Sequence, residues 1–248
     1  MARQVRAEVT RRKILDSAIV VFGEVGYAAA GWGAIVDRTG MTKGALYHHF
    51  DSKEALASEI IDEGTEVLVS AFHDACGPGM PGLENIIHGT FVMARVLASD
   101  RTACAADQLA AALSGYNDAA ARRCAGWAAN LSAQLERAVA EGDLRADIDV
   151  EAFSVSIVGA LIGARVVTTA VSKDRNGGNP TVDFSWRLGQ MWALLLPGAV
   201  AEKSLPYFQQ FLARETLRHT PLESADNSAD GGGEDAVGAG TGQGREGV

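Results

Sequence analysis

Gly40-Met41-Thr42-Lys43-Gly44-Ala45-Leu46-Tyr47-His48-His49-Phe50 is the stretch whose reading decides the fold. Thr42 offers a side-chain oxygen to an orphan backbone N–H, so a short helix is expected over Lys43 to His49. Leu46 and Phe50, four residues apart, share one face and should meet a core. A second short helix is expected before it, over roughly Trp32 to Arg38, stopping at Gly40. Thr39-Gly40-Met41 then forms the turn, with Met41 packed between the helices. Two short helices joined through a glycine-containing turn make a helix-turn-helix.

Outward from this unit the pattern is helical almost throughout. Ala, Leu and Val recur at spacings of three and four, with no convincing run of alternating β-branched residues. The first helix should run from about Arg6 to Phe22, with Ile14, Leu15, Ala18, Val21 and Phe22 inward and Gly23 and Gly26 ending it. Asp51-Ser52 caps a long helix from Lys53 to about Ala75. Pro and Gly at 77–82 mark the next break. Further helices are expected at about 83–98, 102–113, 118–141, 150–172, 183–196 and 204–218, with a mobile turn-rich loop at 173–180. From about Pro221, eight glycines fall in 28 residues with almost nothing apolar, the composition of a disordered tail. The expected fold is all-α: a three-helix head with the helix-turn-helix over residues 1–52, a larger helical body over 53–220, and a tail over 221–248.

The net charge of −9 argues at first against a nucleic-acid partner, because phosphate binding needs positive charge. Its distribution reverses the argument. Residues 1–53 hold eight Lys/Arg against five Asp/Glu, a balance of +3, and the remaining 195 hold 14 against 26, a balance of −12. A basic head on an acidic body suits a chain that touches DNA at one end. The N-terminus lacks an apolar h-region. The longest apolar run, Met191 to Ala201, is broken by Pro197 and Gly198 and is short of the ~20 residues that cross a bilayer. A soluble, cytoplasmic protein with no membrane partner is expected. Cys76, Cys104 and Cys124 have no paired spacing and read as idle thiols.

The third helix has the chemistry of a groove reader. Its N-terminus presents N–H groups and a positive dipole end to phosphate. Lys43 can reach a base edge or a phosphate, Gly44 lets the backbone come close, and Tyr47 and His48 can donate to the sugar-phosphate strand. On pattern alone the same residues also suit an exposed helix with a solvated lysine and a half-buried tyrosine. His48 and His49 are adjacent and point in different directions, so no metal is expected, and no cofactor. There is no Ser/His/Asp set, nucleophile elbow, P-loop or HExxH; an enzyme is not expected.

Gly26-Tyr27, Ile35, the run Gly40 to Phe50, and Ser52-Lys53-Glu54 with Leu56 closely resemble the N-terminal motif of the TetR family of repressors. The resemblance implies that Thr42, Lys43, Gly44, Tyr47, His48 and Lys53 contact double-stranded operator DNA, Lys53 through a phosphate. Where the family usually caps the second helix with Thr or Ser and places Glu three residues on, this chain has Gly31 and Ala34. The capping box is therefore missing. Gly33 adds a further penalty, Trp32 replaces an aliphatic residue, and the second helix should lose roughly 1 kcal/mol.

The body resembles the γ-butyrolactone autoregulator receptors of actinobacteria. The resemblance is carried by Met1-Ala2-Arg3-Gln4 with Arg6-Ala7, by Trp127, Leu131 and Leu135 leading to Glu141-Gly142-Asp143-Leu144, by the helix 152–172, and by an acidic pI of about 5.0. It implies a small-molecule autoregulator ligand bound against Trp127 and Leu131, with Ala160 and Leu161 on the eighth helix. An indole offers a flat apolar wall and one N–H donor, although an apolar stripe carrying a Trp also fits plain core packing. The glutamine and threonine that such receptors place on the fourth and eighth helices are not found. Gly64-Thr65 and Ala160-Leu161 stand near those places, so a butenolide or furan also fits. Ser156, Gly159, Ala160, Gly163 and Ala164, with the bulk of Trp186, Met191, Trp192, Leu194 and Leu195, suggest a two-fold homodimer interface. The expected function is a ligand-released repressor. The alternative is a TetR-type repressor of an efflux pump that senses a drug.

Overall fold

The computed structural model describes residues 2–77, 79–174 and 180–219. Four helices build the head and its connection: α1 (Ala2–Ala29), α2 (Trp32–Thr39), α3 (Lys43–His49) and α4 (Lys53–Ala75). Their ends follow local chemistry. Gly40 closes α2 in the left-handed conformation (φ 64°), Thr42 accepts from the Ala45 N–H, and Ser52 accepts from the Ala55 N–H. Gly31 leads into α2 with no side-chain cap, as its lack of a hydroxyl dictates. Helix α1 starts at Ala2, earlier than the expected Arg6, and runs through Gly23; the expected break falls at Gly26 alone (φ 78°, ψ 162°), with a short helical stretch to Ala29 beyond the kink. A helical Gly23 costs some stability but does not end the helix; beyond the kink the Ala30 N–H closes a further turn on the Gly26 carbonyl (3.1 Å).

Six further helices form the body: α5 (Gly82–Ser99), α6 (Arg101–Ala112), α7 (Asp118–Glu141), α8 (Val150–Asp174), α9 (Pro180–Ala199) and α10 (Leu205–His219). Among the described residues the fold is all-α, with one isolated antiparallel bridge between Leu144 and Val200. Helix α9 carries Pro197 in its last turn rather than stopping before it. The expected loop at 173–180 is occupied at its ends by α8 and α9, and the rest of it, like residues 221–248, lies outside the described residues.

There are two apolar cores. The first gathers Ile14, Leu15, Phe22, Ile35, Leu46 and Phe50 around Leu56, Ile60 and Ile61 of α4, and reaches Leu109 of α6. The second packs Leu68 and Phe72 of α4 against α5, α7, α8, α9 and α10, with Phe91, Trp127, Trp192 and Phe208 at its centre. Helix α4 thus crosses from one core to the other. It passes α6 at Gly64, where an added Cβ would stand 2.6 Å from the Thr102 carbonyl oxygen. Surface pairs run the same way: Arg11 to Glu59 (2.6 Å) and Arg12 to Glu63 (2.8 Å) tie α1 to α4.

The two glycines in contrasting surroundings predict opposite effects. Gly64→Val should lower stability by about 1–3 kcal/mol through overpacking at the α4–α6 crossing. Gly33→Ala on α2, where a Cβ meets nothing within 4 Å, should raise it by about 1 kcal/mol. Urea midpoints of the two variants against the parent chain check both signs.

Candidate functional site

On α3 the structure leaves Thr42, Lys43, Gly44, Tyr47 and His48 all exposed, while Leu46 is buried in the head core. The division follows helical spacing. The Lys43 ammonium stands over the Tyr47 ring at 5.8 Å, and the Trp32 ring of α2 packs against the same tyrosine at 5.2 Å, tilted by 49°. Trp32, the unusual residue of the uncapped helix, therefore orients Tyr47. His48 and His49 meet edge to face at 5.7 Å.

Lys53 is placed differently. Its ammonium donates to the carbonyls of Tyr27 (2.8 Å) and Ala30 (2.9 Å) and lies 4.3 Å from the centroid of the Tyr27 ring. It satisfies carbonyls at the end of α1 and ties that end to the start of α4, leaving one N–H for anything outside the chain.

In the body, a cavity with an empty volume of about 640 Å³, part of it open to solvent, lies between α4, α5, α6, α7, α8 and α9. Trp127, Leu131 and Leu161 line it, whereas Ala160 is half-buried on α8 and does not. Phe72 meets Trp127 edge to face (5.6 Å, 82°) and forms another wall, with Met93, Leu97, Val158 and Phe184 completing an apolar lining. The polar end is an ion cluster. Asp107 of α6 accepts from Arg123 of α7 (2.7 Å) and from Arg165 of α8 (3.2 Å), all three less than a fifth exposed. One carboxylate between two guanidiniums leaves this end net positive.

Two buried donors beside the cavity have no hydrogen-bond partner among the described residues: the indole N–H of Trp127 and Nη1 of Arg123. An unpaired buried donor costs about 1–3 kcal/mol, and a ligand with acceptor oxygens would relieve it. Thr90, also on the lining, is already engaged, donating to the Ile87 carbonyl and accepting from Trp192 Nε1 (3.0 Å). Burial pushes the Cys104 thiol up, against the opposing pull of Arg165, so it stays protonated beside this cluster. Gly64-Thr65 does not supply polar groups here: Gly64 is used for helix crossing, and Thr65 donates to its own helix at Ile61. Sequence reasoning missed Asp107, Arg123 and Arg165. Arg123 was within reach of it, since it lies four residues before Trp127 on the same helical face; Asp107 and Arg165 come from other helices.

Helix α8 leaves Val155, Ile162, Val166 and Val167 exposed, interleaved with Ser156, Gly159 and Gly163, and α9 adds exposed Trp186 and Leu194. By length and composition, Val150–Val171 is apolar enough to cross a membrane (mean hydropathy 1.8), a stretch the sequence reading passed over. Trp192, grouped there with the interface bulk, is fully buried in the body core.

Two family models match the chain: the bacterial regulatory proteins of the tetR family over residues 14–60, and the tetracyclin repressor-like C-terminal domain over residues 80–201. The A-factor receptor protein of Streptomyces griseus is 31% identical over 197 residues, which are 79% of this chain and 66% of that protein, so the match spans just under two thirds of the relative. A crystal structure of a γ-butyrolactone receptor described as ArpA-like superposes with a TM-score of 0.68 at 29% identity, covering 86% of this chain and 99% of that one. The CprB protein of Streptomyces coelicolor, solved in complex with its operator sequence, gives 0.65 at 28% identity with the same coverage.

The contrast between the two lysines is measurable by thermal melting. Lys53→Met should cost about 1.5–3 kcal/mol, the range for hydrogen bonds to a charged group. Lys43→Ala should stay within about 0.5 kcal/mol of the parent. Equal melting points would remove the capping role from Lys53.

Proposed function

Because the chain belongs to the TetR family of bacterial regulatory proteins, we propose that it is a transcriptional repressor that binds operator DNA as a homodimer and is released by a small γ-butyrolactone-like signal. The observation that carries the ligand half of this reading is the cavity walled by Trp127, with two unpaired buried donors beside it. An apolar lining with a few convergent polar groups is the usual form of a small-molecule site. A ligand with an alkyl tail and ring oxygens would lay the tail against Met93, Leu97 and Phe184 and offer acceptors to Trp127 and Arg123. Butenolides and furans meet the same description.

The DNA half rests on α3. Thr42, Lys43, Gly44, Tyr47 and His48 form its exposed face, and a dimer would set two such helices roughly 34 Å apart, one DNA turn. The apolar faces of α8 and α9 support the pairing, since covering them removes a large exposed apolar surface from water. Ligand would act through α6. Asp107 sits at the cavity's polar end, while Ala105 and Leu109 of the same helix pack into the head core and Ala106 abuts Gly64 of α4. Movement of α6 is thereby passed to the head, and ligand releases DNA only in so far as it prefers the non-binding arrangement.

A gel shift on the DNA upstream of the chain's own gene tests both halves. Lys43→Ala with Tyr47→Ala should abolish the shift while the sedimentation profile remains that of the parent; undiminished affinity would discard the α3 assignment. Trp127→Ala should bind DNA yet resist release by butyrolactone. Release of the parent by planar drugs but not by butyrolactones, butenolides or furans would favour an efflux-pump repressor instead.

A further inference from the structure

Away from the cavity, the end of α10 lies against α5 and brings His88, Glu215 and His219 together, their ligand atoms all within 4.8 Å of one another. Nδ1 of His88 is 2.6 Å from Oε2 of Glu215, and Nε2 of His219 is 3.4 Å from the same oxygen. The site is deep: the Glu215 and His219 side chains are 3% and 5% exposed, while His88 at 20% leaves a way in from solvent. Glu215 and His219 are four apart on α10 and share a face. The Phe91 ring stacks on His219 (5.5 Å, 21°) and fixes its plane. Arg218 holds the other Glu215 oxygen at 2.8 Å.

A structural ion pair between His88 and Glu215 explains only part of this arrangement. Nε2 of His219 faces the carboxylate but has no hydrogen-bond partner among the described residues. A cation shared by all three groups accounts for the whole cluster. Ligand atoms about 2.0–2.2 Å from a tetrahedral ion lie roughly 3.3–3.6 Å from one another. The His219–Glu215 pair at 3.4 Å already has that spacing; His88 has to draw back from Glu215, and all three groups start within 4.8 Å of one another.

We propose that His88, Glu215 and His219 form a binding site for one divalent transition-metal ion of the zinc type. Two imidazoles and a carboxylate suit zinc, cobalt or nickel, whereas calcium and magnesium seek oxygen ligands alone. Three protein ligands leave a position open to solvent. The bound ion fastens α10 to α5, the helix that supplies Thr90, Met93 and Leu97 to the cavity wall.

Titration of the chelator-stripped full chain with cobalt(II), read by visible absorption, tests this. One ion per chain is expected, with the d–d bands of a low-coordinate site, no thiolate charge-transfer band, and displacement by zinc. His88→Gln and His219→Gln should each weaken binding by at least about tenfold, the loss that an outer-shell partner alone can cause, with unchanged helical circular dichroism. Should His219→Gln fail to fold, the more exposed His88→Gln carries the test. Absence of cobalt bands, a charge-transfer band marking a cysteine site, or parental affinity in the folded variants would overturn the proposal.

Discussion

Helix α4 belongs to both apolar cores, and that double membership constrains everything else. Leu56, Ala57, Ile60 and Ile61 are buried with the head, and Leu68 and Phe72, two turns further along, are buried with the body. A helix of 23 residues is about 35 Å long and moves as a unit. A shift at the Phe72 end, which walls the cavity, must appear at the Lys53 end, which holds the close of α1 through two carbonyls. Gly64 sets the pivot, because its missing side chain lets α4 close directly onto the Thr102 carbonyl and the Ala106 methyl of α6. Leu46 and Phe50 then tie α3 to the same core, so the exposed face of α3 takes its position from α4.

Electrostatics narrows that face further. Much of the head's positive charge is committed inside the chain: Arg11 to Glu59, Arg12 to Glu63 and Asp16, Arg38 to Glu24, and Lys53 to two carbonyls. Lys43, among the described residues, is in no ion pair and stands on the exposed side of α3 against Tyr47. Lys43 thus stands free where the backbone N–H groups of α3 begin, and Arg6 and Lys13 of α1 are likewise exposed and in no ion pair among the described residues. A single such head would neutralise few phosphates, and each further phosphate contact adds affinity through counterion release. Pairing two heads is the direct physical remedy for so small a basic patch on so acidic a body.

The elements legible in the sequence were those governed by local chemistry. Thr42, Ser52 and Gly40 mark the limits of α2, α3 and α4 because a cap needs only its own neighbours, and the stripe Ile14, Leu15, Ala18, Val21 and Phe22 is buried as its spacing requires. Gly23 misled for the same reason. Its propensity argues for a stop, but the turns on either side outweigh one residue's penalty. At the cavity, Trp127 and Leu131 could be reached from apolar spacing and Leu161 from the family resemblance, whereas the Asp107–Arg123–Arg165 cluster could not, because its members come from three helices whose packing no single stretch encodes. Lys53 shows the limit of a motif: the residue is where the pattern places it, yet its ammonium is largely used within the chain. Glu215 and His219 carried a local signal in their four-residue spacing, but His88 is 127 residues from Glu215.

Helix α8 brings the ligand and dimer questions together. Its composition alone would allow it to cross a bilayer, but its inner side is bound into a helical body, with Arg165 paired to Asp107 and α7 beside it carrying Arg122, Glu136 and Arg137. A bilayer would have to take those charges with it, at a cost that a second copy of α8 does not impose. Gly159 and Gly163 on the outer side permit close approach, and Val155, Val166 and Val167 supply apolar area. Ile162 stands at both surfaces, lining the cavity and exposed on the outer face, and Leu161 and Arg165 line the cavity from the same helix. In the proposed dimer, ligand and partner therefore press on opposite sides of one rigid element. A ligand that displaces α8 by a fraction of its diameter alters how the two copies meet, and the spacing of their α3 helices changes with it.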